Sequence, residues 1–127
     1  YDAQTKNGTV AMKKTDLSPT GREDFLREQL LLNLAGEIPE GELLKRLRKG
    51  LLGMSQSEFC KLAGISRRSL SDIENDRGPS TSATLNAAFS VFGLRLSLLP
   101  MNAELTKLVC ADFQALEGLP FHIRRFR

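Results

Sequence analysis

Apolar residues recur at spacings of three and four through most of the chain, and caps, glycines and prolines divide these runs. Phe25, Leu26, Leu30, Leu31 and Leu34 mark an amphipathic helix ending at Gly36, with Thr20 and Glu23 spaced as a capping box at its start. Pro39 fits the first turn of a second helix, whose stripe is Leu43, Leu44, Leu47 and Leu51. Ser80 or Thr81 caps a later helix with Leu85, Ala88, Phe89 and Phe92 on one side, closed by Gly93. A last helix runs from the cap Asn102 to the stop Gly118 and carries Leu105, Leu108, Val109, Phe113 and Leu116. One stretch departs from the helical period: residues 94–99 alternate apolar and polar side chains for a few positions and stop at Pro100, the pattern of a short strand.

Residues 54–77 have the densest punctuation. Ser55 caps a helix over 56–63 through its hydroxyl, and Glu58, three residues on, reaches back to the same end. Gly64 takes the C′ position, where a positive φ costs glycine almost nothing, and Ile65 ties the corner to the core. Ser66 is a second N-cap. Leu70 and Ile73 then bury one narrow face of a helix over 67–75 and leave Arg67, Arg68, Ser71, Asp72 and Asn75 facing outward. Two short helices hinged at a glycine, the second opening with paired arginines, is the layout of a DNA-reading helix-turn-helix.

On these residues the segment resembles the Xre family, the phage-repressor type of helix-turn-helix. That family's pattern runs Ser-Gln-x-Glu-x-Ala-x-x-x-Gly-(Ile/Val)-Ser and, after a variable stretch, Ile-Glu-Asn-Gly. The chain matches at Ser55, Gln56, Glu58, Gly64, Ile65, Ser66, Ile73, Glu74 and Asn75. Cys60 stands where the family has a small alanine, and Asp76 where glycine ends the recognition helix; aspartate tolerates the left-handed conformation better than most residues. The region of resemblance, 39–92, covers a little under half the chain. It implies an all-α, lambda-repressor-like helical bundle, here with an added N-terminal helix, a short strand after the core and a C-terminal helix.

Arginine's fork matches the O6 and N7 acceptors of guanine in the major groove, which makes Arg67 and Arg68 the candidate base readers, with Ser71 and Asp72 beside them. Asp72, one turn beyond Arg68, either holds that guanidinium, accepts from a cytosine amino group, or forms a plain surface ion pair. Ser66, Ser69, Asn75 and Arg77 are placed to donate to phosphates. The resemblance adds Gln56 as a contact to phosphate or the operator edge, and Glu74 as a structural tie to Arg46 or Arg48. A lone strand needs a partner for its backbone groups. The simplest source is a second copy, giving a dimer through Leu94, Leu96 and Leu98; the alternative is an extended loop over the core. A similar strand in HipB-like antitoxins, which dimerise through it, points the same way.

Composition narrows the classes. With 127 residues, 41% of them hydrophobic, the chain suits one small domain, and its formal charge of +3 favours polyanions only modestly. The distribution says more, since Arg46, Arg48, Lys49, Lys61, Arg67, Arg68 and Arg77 fall in or beside the motif. No apolar run approaches a membrane span, and the start has no charged stretch followed by a hydrophobic one; Met12, followed by Lys13 and Lys14, is a candidate natural start. Cys60 and Cys110 read as two buried thiols, and the lone His122 completes no zinc set with them. No phosphate loop, metal set or nucleophile with a placed base marks an enzyme, and no cofactor is implied.

The expected organisation is a flexible arm over 1–19, an accessory helix over 20–37 and a helix-turn-helix domain over 38–93. Residues 94–127 then supply a dimerisation strand, a helix and a tail mixing arginine with aromatics. The expected function is a cytoplasmic transcriptional regulator, of the repressor kind, that binds double-stranded DNA at a palindromic operator as a homodimer and is nucleoid-associated when bound. The alternative is an antitoxin that also binds a toxin protein and autoregulates its operon.

Overall fold

The computed structural model describes residues 18–116. The expected arm up to residue 17, and the tail with His122, lie outside them. The described residues form helices α1 Pro19–Leu34, α2 Glu40–Leu47, α3 Gln56–Ala63, α4 Arg67–Glu74, α5 Ser82–Ser90 and α6 Ala103–Leu116, with a π-helical turn, Arg48–Leu52, continuing α2. They divide into two units, one ending at Leu96 and one beginning at Ser97.

The start of α1 corrects the sequence reading. The cap is Ser18, whose hydroxyl accepts the Gly21 N–H at 3.0 Å, and Pro19 fills the first turn, where its missing N–H leaves no bond unmade. The buried side is also rotated from the expected stripe: Gln29 is buried, Leu32 joins Phe25, Leu26 and Leu30 against the core, and Leu31 and Leu34 are exposed. Polar contacts fix this rotation, because Gln29 Oε1 accepts from Arg46 Nη1 at 3.2 Å and Asn33 donates to the Ile38 carbonyl at 3.0 Å.

The core of the first unit follows the expected stripe of α2. Leu43, Leu44, Leu47 and Leu51 are buried with Ile38, Phe59, Leu70, Ile73, Ala88 and Phe89, and Phe92 stacks on Phe59 at a centroid distance of 5.8 Å. Helix α2 lies so close to the end of α4 that a Cβ on Gly41 would collide with the carbonyl oxygen of Ile73, so this crossing requires glycine. Burial of α2 and α4 against each other fixes where α4 presents its outer face.

Residues 94–99 are not a strand, and no strand occurs among the described residues. Their backbone is satisfied locally instead of in a ladder: the Leu94 N–H donates to the Phe89 carbonyl at 3.1 Å, and the Leu96 N–H to Asn86 Oδ1 at 2.8 Å. In the second unit, α6 buries no residue, and Cys110 is exposed, against the expectation of two buried thiols.

Candidate nucleic-acid interface

Local chemistry sets the corner between α3 and α4. Ser55 and Glu58 form the expected capping box: Ser55 Oγ accepts the Glu58 N–H at 3.1 Å, and Glu58 Oε1 accepts the Ser55 N–H at 2.9 Å. Gly64 adopts φ +74° and ends α3. Ser66 caps α4 by accepting the Ser69 N–H at 2.9 Å, and its hydroxyl donates to Ser69 Oγ at 3.0 Å. At the far end, Asp76 takes φ +54°, the left-handed turn that glycine makes in the resembling pattern.

Helix α4 is held from beneath by a charged pair. Arg48 Nε and Nη2 donate to the two oxygens of Glu74, each at 2.8 Å, and the side chains are 6% and 0% exposed. The third arm of the guanidinium, Nη1, donates to the Met54 carbonyl at 2.8 Å. Gln56 Nε2 donates to Glu74 Oε1 at 3.1 Å, while Gln56 Oε1 lies 3.5 Å from Arg67 Nη2. Of the two bases that sequence allows for Glu74, Arg48 is its partner; Arg46 pairs with Glu42 at 2.9 Å.

The two arginines that open α4 are both exposed but differ in their surroundings. Arg67 Nη1 donates to Ser57 Oγ at 2.8 Å, so its fork is anchored on α3. Among the described residues Arg68 makes no hydrogen bond or ion pair, and its five donors stand free. Asp72 pairs with Arg77, not with Arg68: Arg77 Nε lies 3.2 Å from Asp72 Oδ1, and Arg77 Nη2 donates to Ser71 Oγ at 2.6 Å. The turn at Asp76 explains this choice, since it folds the chain back until the Arg77 N–H reaches the Asp72 carbonyl at 2.8 Å. Asn75 Nδ2 donates to the Ser71 carbonyl at 2.9 Å. Ser71 and Asp72 are half-buried by these contacts, and Asn75 and Arg77 are exposed.

Two positions escaped the sequence reading. Ser57 positions Arg67 from ten residues away, across the corner, where no periodicity relates them. Arg22 of α1 donates to the Leu51 carbonyl at 3.1 Å, a group in the π-helical turn that begins at Arg48. Beneath α4, burial pushes the Cys60 thiol above its ordinary pKa, an effect that Glu74 reinforces and that Arg67 and Arg48 oppose.

Among the described residues no group of three His, Cys, Asp or Glu is arranged to hold a metal ion, and no helix is long and apolar enough to cross a membrane. The surface carries exposed forked donors at the start of a helix whose inner face is locked, an arrangement able to present guanidinium groups to base edges and phosphates. Residues 44–99 match the model of the family described as Helix-turn-helix. Comparison with curated proteins and with solved structures gave no match.

Proposed function

We propose, for a chain that residues 44–99 identify as an Xre-type helix-turn-helix DNA-binding regulator, that it acts as a repressor and reads a palindromic operator as a homodimer. The observation that carries this reading is the pairing of exposed Arg67 and Arg68 with the buried tie of Glu74 to Arg48, which fixes the helix that bears them. Arg68, with all its donors free, reads guanine. Arg67, steered by Ser57, reads the neighbouring position. Ser71 and Asp72 complete the base-reading face, with Asp72 exchanging its Arg77 partner for a cytosine amino group. Gln56, Ser66, Ser69, Asn75 and Arg77 contact phosphates and set the register.

Affinity supports a dimer, because one such domain makes few phosphate contacts and binds weakly at cellular salt. Two readers about 34 Å apart on one duplex face double those contacts. Of the leucines nominated for self-association, Leu94 packs against the core of its own chain, while Leu96 and Leu98 are exposed, Leu98 at 96%. These exposed side chains, without a strand ladder, are the proposed contact.

The test is a titration of labelled duplexes with wild-type protein and with the double variant Arg67→Ala/Arg68→Ala. The wild type prefers an enriched duplex over a random one, and the variant keeps its fold and loses that preference. A variant with undiminished preference would overturn the assignment.

A further inference from the structure

Helix α1 precedes the residues that match the family model, yet it is fixed to the helices beneath it by more than apolar packing. At 100° per residue, Arg22, Gln29 and Asn33 fall within an arc of about 40° at the centre of the face that α1 turns to the core. Phe25 and Leu32 lie on one flank of that line, Leu26 and Leu30 on the other, and all four pack against the core. A helix that only covered a core would be apolar along its centre line. Here each polar residue spends a side-chain group on a specific partner. Arg22 donates to the Leu51 carbonyl at 3.1 Å, Gln29 accepts from Arg46 at 3.2 Å, and Asn33 donates to the Ile38 carbonyl at 3.0 Å. Directed bonds fix rotation and rise, which apolar contact leaves loose.

Two of these bonds flank Arg48. Gln29 holds Arg46, two residues before it, and Arg22 holds the Leu51 carbonyl, three residues after it. That carbonyl needs an outside donor, because its α-helical partner, the Ser55 N–H, is given to Glu58 at 2.9 Å. Past Arg48 the chain closes on itself. The Arg48 carbonyl accepts the Met54 N–H at 3.3 Å, Gly53 takes φ +60°, and Arg48 Nη1 donates to the Met54 carbonyl at 2.8 Å. A shift of this turn therefore carries with it the guanidinium whose Nε and Nη2 hold Glu74.

We infer that Arg22 and Gln29 are positioning residues for base reading: from α1 they set the turn that bears Arg48, and through Arg48 and Glu74 they set the angle at which α4 presents Arg67 and Arg68. The inference rests on the reading of α4 as the base-reading helix. Its signature is lost discrimination with retained non-specific affinity, because every guanidinium and phosphate-facing group stays in place and only their register with base edges changes.

Titration of an enriched and a random duplex with the full chain tests this, comparing wild type, Arg22→Met, Arg22→Lys and Gln29→Leu, with urea midpoints measured alongside. Arg22→Met keeps the length of the side chain and removes its donors. It lowers the preference for the enriched duplex about tenfold, the factor that one charge-assisted hydrogen bond carries, while binding to the random duplex stays within about twofold. Arg22→Lys, which keeps a donor and the charge, retains most of the preference. Gln29→Leu places an apolar side chain of similar volume in a buried position, and Arg46 keeps Glu42. This variant folds with an undiminished urea midpoint and still loses preference, a result that a purely stabilising role does not produce. Unchanged preference in Arg22→Met and Gln29→Leu, or a loss shared equally by the two duplexes, overturns the inference. Exchange of the Arg48 Nε–H with water in the DNA-free protein separates it from the DNA-binding reading. Arg22→Met and Gln29→Leu are expected to exchange that proton about tenfold faster than wild type. Faster exchange together with a wild type that prefers no duplex sinks the DNA-binding reading and leaves the bracing of Arg48 by α1 standing; unchanged exchange overturns the brace.

Discussion

Arg48 and Glu74 meet through two 2.8 Å hydrogen bonds in a position where neither side chain retains more than 6% exposure. A bidentate pair of this kind constrains direction as well as distance, so α4 cannot rotate about its axis without breaking one of the two bonds. Gln56 extends the constraint to α3 and, through its other end, toward Arg67. The pair's contribution is chiefly to placement, because an apolar pair of similar volume often stabilises as much as a buried ion pair.

Removal of one partner is therefore expected to cost far more than removal of both. Arg48→Met leaves the Glu74 carboxylate buried without its cation and lowers the unfolding free energy by about 3–5 kcal/mol. The double change Arg48→Met/Glu74→Leu recovers most of that loss in urea denaturation, yet binds duplex less selectively because α4 is no longer oriented.

Base reading and phosphate anchoring separate by mutation. Arg68→Ala is expected to cost about 1–3 kcal/mol of discrimination at one base pair in each half-site. Arg77→Ala weakens binding to all duplexes alike and reduces the salt slope by about one unit. Equal losses from both changes on enriched and random duplexes contradict the division.

Gly41 gives a purely steric test. Gly41→Ala drives a methyl group into the Ile73 carbonyl, and separating α2 from α4 is expected to cost about 2–3 kcal/mol in chemical denaturation. Gly36→Ala is a different case: nothing crowds that site, and its cost comes from the positive φ alone.

The two cysteines differ in chemistry. In the native state an alkylating reagent modifies exposed Cys110 and spares buried Cys60. Because burial raises the Cys60 pKa, the folded state holds that proton where the unfolded state has released it. The stability associated with Cys60 is complete below the free thiol value, about 8.5, and is lost as pH rises beyond it. Cys60→Ala removes this alkaline component, which comparison of the two pH-stability curves measures.

The corner between α3 and α4 was legible because short-range chemistry decides it. Ser55 with Glu58, Gly64 and Ser66 each satisfy groups within three or four residues, and Asp76 turns left as its position in the resembling pattern implies. Long-range polar contacts were not legible. The rotation of α1 depends on Gln29 meeting Arg46, seventeen residues away, and Asp72 found Arg77 only because the chain reverses between them. Residues 94–99 carry an alternating pattern without a pairing strand among the described residues, and Asn86 takes up the Leu96 N–H. The apolar stripe of α6 was visible; that no residue of α6 is fully buried was not.

Selection of bound duplexes from a random pool with the purified chain, followed by the mass of the complex on the enriched duplex, tests the central claim most directly. The account predicts an inverted repeat with guanines in each half-site, half-sites about one helical turn apart, and two copies of the chain per duplex. A pool that remains random after repeated rounds would contradict it.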